Sequence, residues 1–236
     1  MTKSTVDEIR ARFDTDVERF SNLETGQTAT IDAALCLELI AKAAAAVTPH
    51  AAHVLDIGCG AGNFTLRLHR ELPFSAVTLL DLSQPMLTRA AERATAAGLT
   101  PTTLQSDVRE AHFPPQSFDI IVAGAVLHHL RTDAEWEQTF AKLHAWLRPG
   151  GSLWIFDMVA HEHPAVEAYQ HQRWTDYLTA FGGPDYAAKV TTYVEKEDTP
   201  RPLTYQLELL RRAGFSSIDV LHKNVAFAAF GAYRSN

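Results

Sequence analysis

Apolar positions along this 236-residue chain change their period near residue 53. Before it they recur at helical spacing. Val6, Ile9, Phe13 and Val17 form one such series, and the alanine-rich run Ile31 to Val47 consists of strong helix formers. Between the two lies RFSNLETGQT, a polar turn segment. From His53 onward, short apolar runs alternate with amphipathic stretches of about ten to fifteen residues. HVLDIG, AVTLLD, FDIIVAGAVL and GSLWIFDMV are rich in Val, Ile and Leu and apolar on both faces. Runs of this kind, separated by helices, predict a parallel sheet covered by helices on both sides.

Helix punctuation agrees with this pattern. Ser83 is placed to cap a helix with Pro85 in its first turn. Trp136, Phe140, Leu143 and Leu147 step along one helix face, which Pro149-Gly150-Gly151 is expected to end. Pro164 opens a helix carrying Val166, Tyr169, Trp174, Tyr177, Leu178 and Phe181, stopped by Gly182-Gly183-Pro184. A last helix, Leu203 to Ala213, has Arg211 and Arg212 in its final turn and Gly214 just past it. Two more strands are expected at 216–221 and 225–233.

Composition narrows the class. A 46% hydrophobic and 21% charged chain is that of a soluble globular protein, and a net charge of −7 disfavours a nucleic-acid partner. Cys36 and Cys59 are too few for a disulfide framework and fit a reducing compartment. The first residues lack the apolar core of a secretory signal. The longest apolar stretch, Ala33 to Val47, is interrupted by Glu38 and Lys42, too polar to span a bilayer. A cytoplasmic protein without a membrane partner is expected; the chain allows a homodimer.

The chemistry concentrates in VLDIGCGAGNFT. Gly58, Gly60 and Gly62 fall at alternate positions where a strand turns into a helix, the point at which open α/β sheets bind ligands. A dinucleotide fingerprint needs its third glycine three places after the second, where Asn63 stands. The Gly-Lys-Ser/Thr of a phosphate loop is absent, and no Lys or Arg lies near to meet a diphosphate. Asp81, ending the second strand, suits both ribose hydroxyls. Asp107, after the third strand, can accept from an adenine amino group, and Asp56 suits an ammonium. An adenosine with an ammonium-bearing, non-phosphate tail is S-adenosylmethionine.

VLDIGCGAG, LLDLS..ML, SDV, FDIIVAGAVLHHL and LRPGGSLWIFD, in that order over residues 53–158, resemble the class I S-adenosylmethionine-dependent methyltransferases. The resemblance implies an α/β, doubly wound, mostly parallel seven-stranded sheet (Rossmann-like, order 3-2-1-4-5-7-6). It also implies an N-terminal helical cap over 1–48, a core over 49–236 and a helical lid inserted at 160–200. The cofactor residues it implies are Asp56, Gly58, Cys59, Gly60, Gly62, Asp81, Leu82, Met86, Asp107, Val108 and Ala123, with Leu82 and Val108 sandwiching the adenine. His128 and His129, after the fourth strand, are candidates for the base that takes a proton from the acceptor, or for a helix cap or a contact to the cofactor. Asp157, ending the fifth strand, is a candidate base, substrate anchor or structural group. Tyr169, Trp174 and Tyr193 are candidates for an aromatic substrate wall. His161 and His163 make a poor metal pair, and no metal is expected.

The expected reaction is in-line displacement of the methyl group onto a small-molecule acceptor. The flanks also resemble the carboxy-S-adenosylmethionine synthases that serve wobble-uridine modification of tRNA, through Phe20-Ser21-Asn22 and RRAGFSSIDVLHKNVAFAAFGAY. That branch uses an arginine for the extra carboxylate where Val190 stands here, which favours ordinary S-adenosylmethionine. Lys189 and Arg173 are the nearest alternative cations. A nicotinamide oxidoreductase is disfavoured by Asn63 and the pattern of acids, and a non-catalytic cofactor sensor by His128, His129 and Asp157.

Overall fold

The computed structural model describes residues 2–22 and 28–236. Two short helices, α1 (Val6–Asp14) and α2 (Val17–Ser21), precede α3 (Ala33–Val47). The alternating part runs β1 (His53–Ile57), α4 (Asn63–Glu71), β2 (Ala76–Asp81), α5 (Gln84–Ala96), β3 (Thr100–Gln105), β4 (Phe118–Gly124), α6 (Asp133–Trp146) and β5 (Leu147–Met158). Two helices, α7 (Pro164–Gly182) and α8 (Pro184–Glu197), are inserted before α9 (Leu203–Ala213), β6 (Ser217–Asn224) and β7 (Phe227–Tyr233).

The seven strands form one sheet in the expected order, β3-β2-β1-β4-β5-β7-β6. All neighbouring pairs are parallel except those of β7, which runs antiparallel to β5 and β6. Alternate residues of the central strands serve opposite faces. Val54, Val77, Ile120, Val122 and Trp154 pack with α3, α4 and α5 through Leu37, Ile40, Leu68 and Leu87. Leu55, Ile57, Ile121, Leu153 and Ile155 pack with α6 and α9 through Trp136, Phe140, Leu143, Leu209 and Leu210. Each such side chain removed from water contributes about 1.5–3 kcal/mol, which is why the sheet centre carries the stability. That rigid centre holds the carboxyl ends of β1, β2, β4 and β5 side by side.

Four local readings change. The helical series Val6 to Val17 breaks after Asp14, where Thr15 folds its amide back to Arg12; the turn lets the Phe13 and Phe20 rings meet at 5.5 Å. Strand β4 stops at Gly124 instead of continuing to Leu127. Ala125 takes φ +53° and Leu127–His129 form a 3-10 turn. Pro149-Gly150-Gly151 does not end α6. The helix stops at Trp146 and the glycines lie inside β5, where a Cβ on Gly151 would come within 2.8 Å of the Asp119 carbonyl and the β4–β5 register shifts. Helix α8, which the apolar pattern left unassigned, fills 184–197.

Candidate active site

The glycine turn after β1 forms the floor of a cavity of about 840 Å³, open solvent at its mouth included. Gly58 and Gly60 adopt positive φ (+63° and +49°), conformations a side chain disfavours. Asp56, Cys59, Asp81, Leu82 and Met86 line the same cavity, with Phe13 and Phe20 of the N-terminal helices on its far side. Its continuation past Leu82 is bounded by Ser106, Asp107, Val108 and Arg109. Asp81 is held by two amides, Gly60 at 2.8 Å on one oxygen and Ser83 at 2.9 Å on the other, leaving further lone pairs for a ligand. Burial pushes its pKa up, against these two donors. Asp56 is fully buried and accepts from the Thr65 hydroxyl (2.6 Å) and amide (3.2 Å). Burial outweighs those bonds and lifts its pKa to about 7.

Asp107 does not stand free, because Arg109 grips it with Nε (2.9 Å) and Nη2 (2.6 Å). Burial raises its pKa, but Arg109 outweighs it and the net shift is downward. Gly62 caps α4, and a Cβ there would stand 3.3 Å from the Ala90 backbone, so it serves helix packing rather than the cavity wall. Ala123 is buried inside β4 between Ile57 and Ile155 and is absent from the cavity lining; Gly124 and Ala125 take the place expected for it.

A second cavity of about 620 Å³, open solvent at its mouth again included, adjoins the first. Arg12, Phe13, Arg19 and Phe20 form one side of it, and Trp174, Tyr193 and Phe227 the other. Phe13, Phe20, Ala125 and His129 line both cavities and are therefore their junction. Of the three aromatic residues expected on a substrate wall, Trp174 and Tyr193 line this cavity. Tyr169 does not: it is 61% exposed on α7 and lines neither cavity.

His128 and His129 sit side by side in the 3-10 turn, ring centroids 4.4 Å apart. Asp157 lies behind them. It accepts from His128 Nδ1 and from the His128 and Met158 amides (3.1 and 2.8 Å). Asp198, which immediately follows α8, faces both rings, with Oδ1 3.2 Å from His129 Nδ1 and 3.7 Å from His128 Nε2. Burial disfavours a charged His128, but Asp157 and Asp198 outweigh it and hold its pKa at about 9. Burial and the neighbouring His128 lower that of His129. Neither histidine caps α6; Thr132 does, with Glu135 completing the box.

Sequence reasoning missed Asp198, whose partners are distant in the chain, and Asn63, which donates to the Phe20 carbonyl at 2.8 Å and ties α2 to the glycine turn. The polar segment before α3 lies partly outside the described residues, at 23–27. His161 is engaged by Glu167 (2.9 Å) and Lys223 (2.8 Å), so the His161/His163 pair offers no ligand set.

A family described as a methyltransferase domain matches residues 54–151. The carboxy-S-adenosyl-L-methionine synthase of Chromohalobacter salexigens is 30% identical over 190 residues, 78% of this chain and 68% of that protein. The chain belongs to the class I S-adenosylmethionine-dependent methyltransferase superfamily. Another relative, an uncharacterized methyltransferase of Mycobacterium tuberculosis, is 35% identical over 106 residues, 45% of this chain. That match spans half the length of the mycobacterial protein. Among solved structures, the [4+2]-cyclase SpnF superposes with a TM-score of 0.68 at 15% identity, covering 100% of this chain and 98% of its own. Human N-acetylserotonin methyltransferase, in complex with S-adenosylmethionine, gives 0.63 at 14% identity, covering 99% and 63%. At such identities these two likenesses concern the fold alone. No described helix of this superfamily member is long and apolar enough to cross a membrane.

Proposed function

We propose that the chain transfers a methyl group from S-adenosylmethionine to a small-molecule acceptor. The observation that carries this reading is the junction: the glycine-floored cavity and the aromatic chamber meet at Ala125 and His129. The first cavity fits the cofactor by its charge. Asp56, Asp81 and Asp107 line it and its continuation, and the cation beside them, Arg109, is already held by Asp107. A cationic sulfonium and ammonium are favoured there and a diphosphate is not. In this reading Asp81 takes the ribose hydroxyls, Leu82 and Val108 flank the adenine, and Asp56 and the glycine turn hold the amino-acid end.

The cofactor supplies an already activated methyl, so placement of the acceptor is the protein's main task. The chamber holds the acceptor between Trp174, Tyr193 and Phe13. The cluster of His128, His129, Asp157 and Asp198 lies where its heteroatom must be relieved of a proton. Helices α7 and α8 act as the lid and α1 and α2 as the cap.

A carboxylated cofactor is the second reading, favoured by the 30% identity to the Chromohalobacter synthase. Against it, Val190 is buried in the core, and Lys189 and Arg173 are exposed and line neither cavity. The chamber's own cations, Arg12 and Arg19, are paired with Glu197 and Asp16. Native mass spectrometry of the purified protein, followed by calorimetry with S-adenosylmethionine, S-adenosylhomocysteine and NAD, tests both. Micromolar binding of the S-adenosyl compounds without a response to NAD is expected. A copurified ligand heavier by one carbon dioxide decides for the second reading, and binding of NAD alone overturns both.

A further inference from the structure

His128, His129 and Asp198 bring three ligand atoms within 4.8 Å of one another at the edge of the chamber. We propose that this trio binds one first-row divalent transition cation, with its free coordination positions turned to the acceptor. The inference rests on the methyl-transfer reading and deepens it by naming what receives the acceptor's heteroatom.

The distances suit such an ion. Asp198 Oδ1 lies 3.2 Å from His129 Nδ1 and 3.7 Å from His128 Nε2. Two donors sharing a metal at about 2.0–2.1 Å stand roughly 3.0–3.4 Å apart, so shifts of about half an ångström complete both pairs with Asp198, and the two imidazole nitrogens close to that range from within 4.8 Å. Two imidazoles and one carboxylate with open positions favour manganese-to-zinc ions over magnesium or calcium.

The surroundings of His128 are those of a metal-binding histidine. Its Nδ1 donates to Asp157, whose oxygens also take the amides of His128 and Met158. That carboxylate fixes the ring and leaves Nε2 aimed at Asp198, the arrangement that orients and strengthens a metal-bound imidazole.

A proton is the rival occupant of the enclosed point, but at 3.7 Å His128 Nε2 lies beyond hydrogen-bond reach of Asp198 Oδ1. His129 Nδ1 is nearer that oxygen, at 3.2 Å, yet is poorly aligned for a hydrogen bond to it. A cation satisfies all three atoms at once, and buried polar atoms are rarely left unsatisfied. The ion displaces that proton to solvent.

Position gives the site its use. All three residues line the chamber, and His129 also lines the cofactor cavity, so an acceptor oxygen on the ion lies close to the methyl's side. Coordination lowers the pKa of an acceptor hydroxyl, whose proton passes to water. The oxygen lone pair forms the new C–O bond, the C–S bond breaks, and its electron pair stays on sulfur.

The test uses the full chain without an affinity tag, stripped with a chelator and titrated with Co²⁺ or Zn²⁺. Metal content is read by mass spectrometry, and Co²⁺ by its visible absorption. About one equivalent is expected, with binding at least a hundredfold weaker in Asp198→Asn and in His129→Gln. Asp157→Asn should weaken it about 10- to 100-fold, and Lys189→Ala should leave it unchanged. Less than about a tenth of an equivalent in the wild type overturns the site, as does equal binding in the Asp198→Asn and His129→Gln variants. A parallel titration with S-adenosylmethionine separates the two readings: intact cofactor binding without metal sinks only the metal site. Absent cofactor binding sinks the methyl-transfer reading, while metal stoichiometry still decides the site.

Discussion

Arg12 clasps Glu197, its Nε 2.9 Å from both carboxylate oxygens and its Nη2 2.5 Å from Oε2. The guanidinium also lies over the rings of Phe13 (4.2 Å) and Tyr193 (5.2 Å). One ion pair thus joins the helix that carries Phe13 to the helix end that carries Asp198. Lys3 reinforces the join by donating to the carbonyls of Glu195 and Asp198. Arg12→Ala leaves a buried carboxylate without its partner and should cost about 1–3 kcal/mol. It should also weaken S-adenosylmethionine severalfold, because Phe13 loses its support. Arg12→Lys should recover only part of this, since a lysine cannot present two parallel donors. Thermal unfolding with and without the cofactor checks both effects; an unchanged melting temperature in Arg12→Ala would rule the clasp out.

Asp81 is the acid whose loss should damage the cofactor site most selectively. Its oxygens already order the glycine turn through Gly60 and the start of α5 through Ser83. Asp81→Asn replaces one acceptor by a donor facing an amide and removes a charge from the ribose position. Hydrogen bonds to a charged group are worth about 1.5–3 kcal/mol, so affinity for S-adenosylmethionine should fall roughly 10- to 100-fold. Calorimetry on the folded variant reads this directly. An affinity within twofold of the wild type would remove Asp81 from the site.

Asp56 should make the proposed cofactor site sensitive to pH. Burial holds its pKa at about 7, above the ordinary carboxylate value. In the fold the carboxyl keeps a proton that the unfolded chain has already released. Its stability contribution is therefore complete below about pH 4 and is lost as pH rises to about 7. Cofactor affinity runs the other way, since the ammonium prefers the ionised form, and should increase between pH 6 and 8. Thr65→Val removes the 2.6 Å hydroxyl donor and should move the midpoint of this rise upward. Asp56→Asn should flatten it. A pH series of calorimetric titrations suffices, and a wild-type affinity that stays flat across it contradicts the assignment.

Much of this arrangement was legible because it is local. Strands β1, β2, β4 and β5 announce themselves as apolar runs, while the polar β3 does not; the glycine turn and Asp81 lie one helix apart, so the order of motifs carried the fold and the glycine-floored cavity. Asp198 was not legible. It follows the end of α8, far in the chain from its partners, and only the folded chain brings it to His128 and His129. Tyr169 misled for a related reason: its helix is aromatic on two faces, and burial selects Trp174 and Leu178 while leaving Tyr169 and Phe181 outside. Asn63 occupies a position that a fingerprint defines only by the missing glycine, so its bond to Phe20 had no signal. Gly62 and Ala123 lie within matched motifs but serve packing, a distinction that spacing does not contain.

The glycine turn allows folding and binding to be separated by two substitutions of the same kind. At Gly60 a Cβ would meet nothing within 4 Å, and at Gly58 it would stand 2.6 Å from two Val126 side-chain atoms. Both positions have positive φ, which costs an L-residue about 1–2 kcal/mol. Gly60→Ala should therefore pay the backbone cost alone and fold, yet bind the cofactor poorly, because its methyl enters the cavity. Gly58→Ala should lose more stability, since Val126 must also move. Adding Val126→Ala to Gly58→Ala should restore the part due to the clash and leave the φ cost in place. Melting temperatures of the four proteins check this ordering. If Gly58→Ala and Gly60→Ala are equally stable, Val126 yields freely and the tightness of the turn is not what demands glycine at 58.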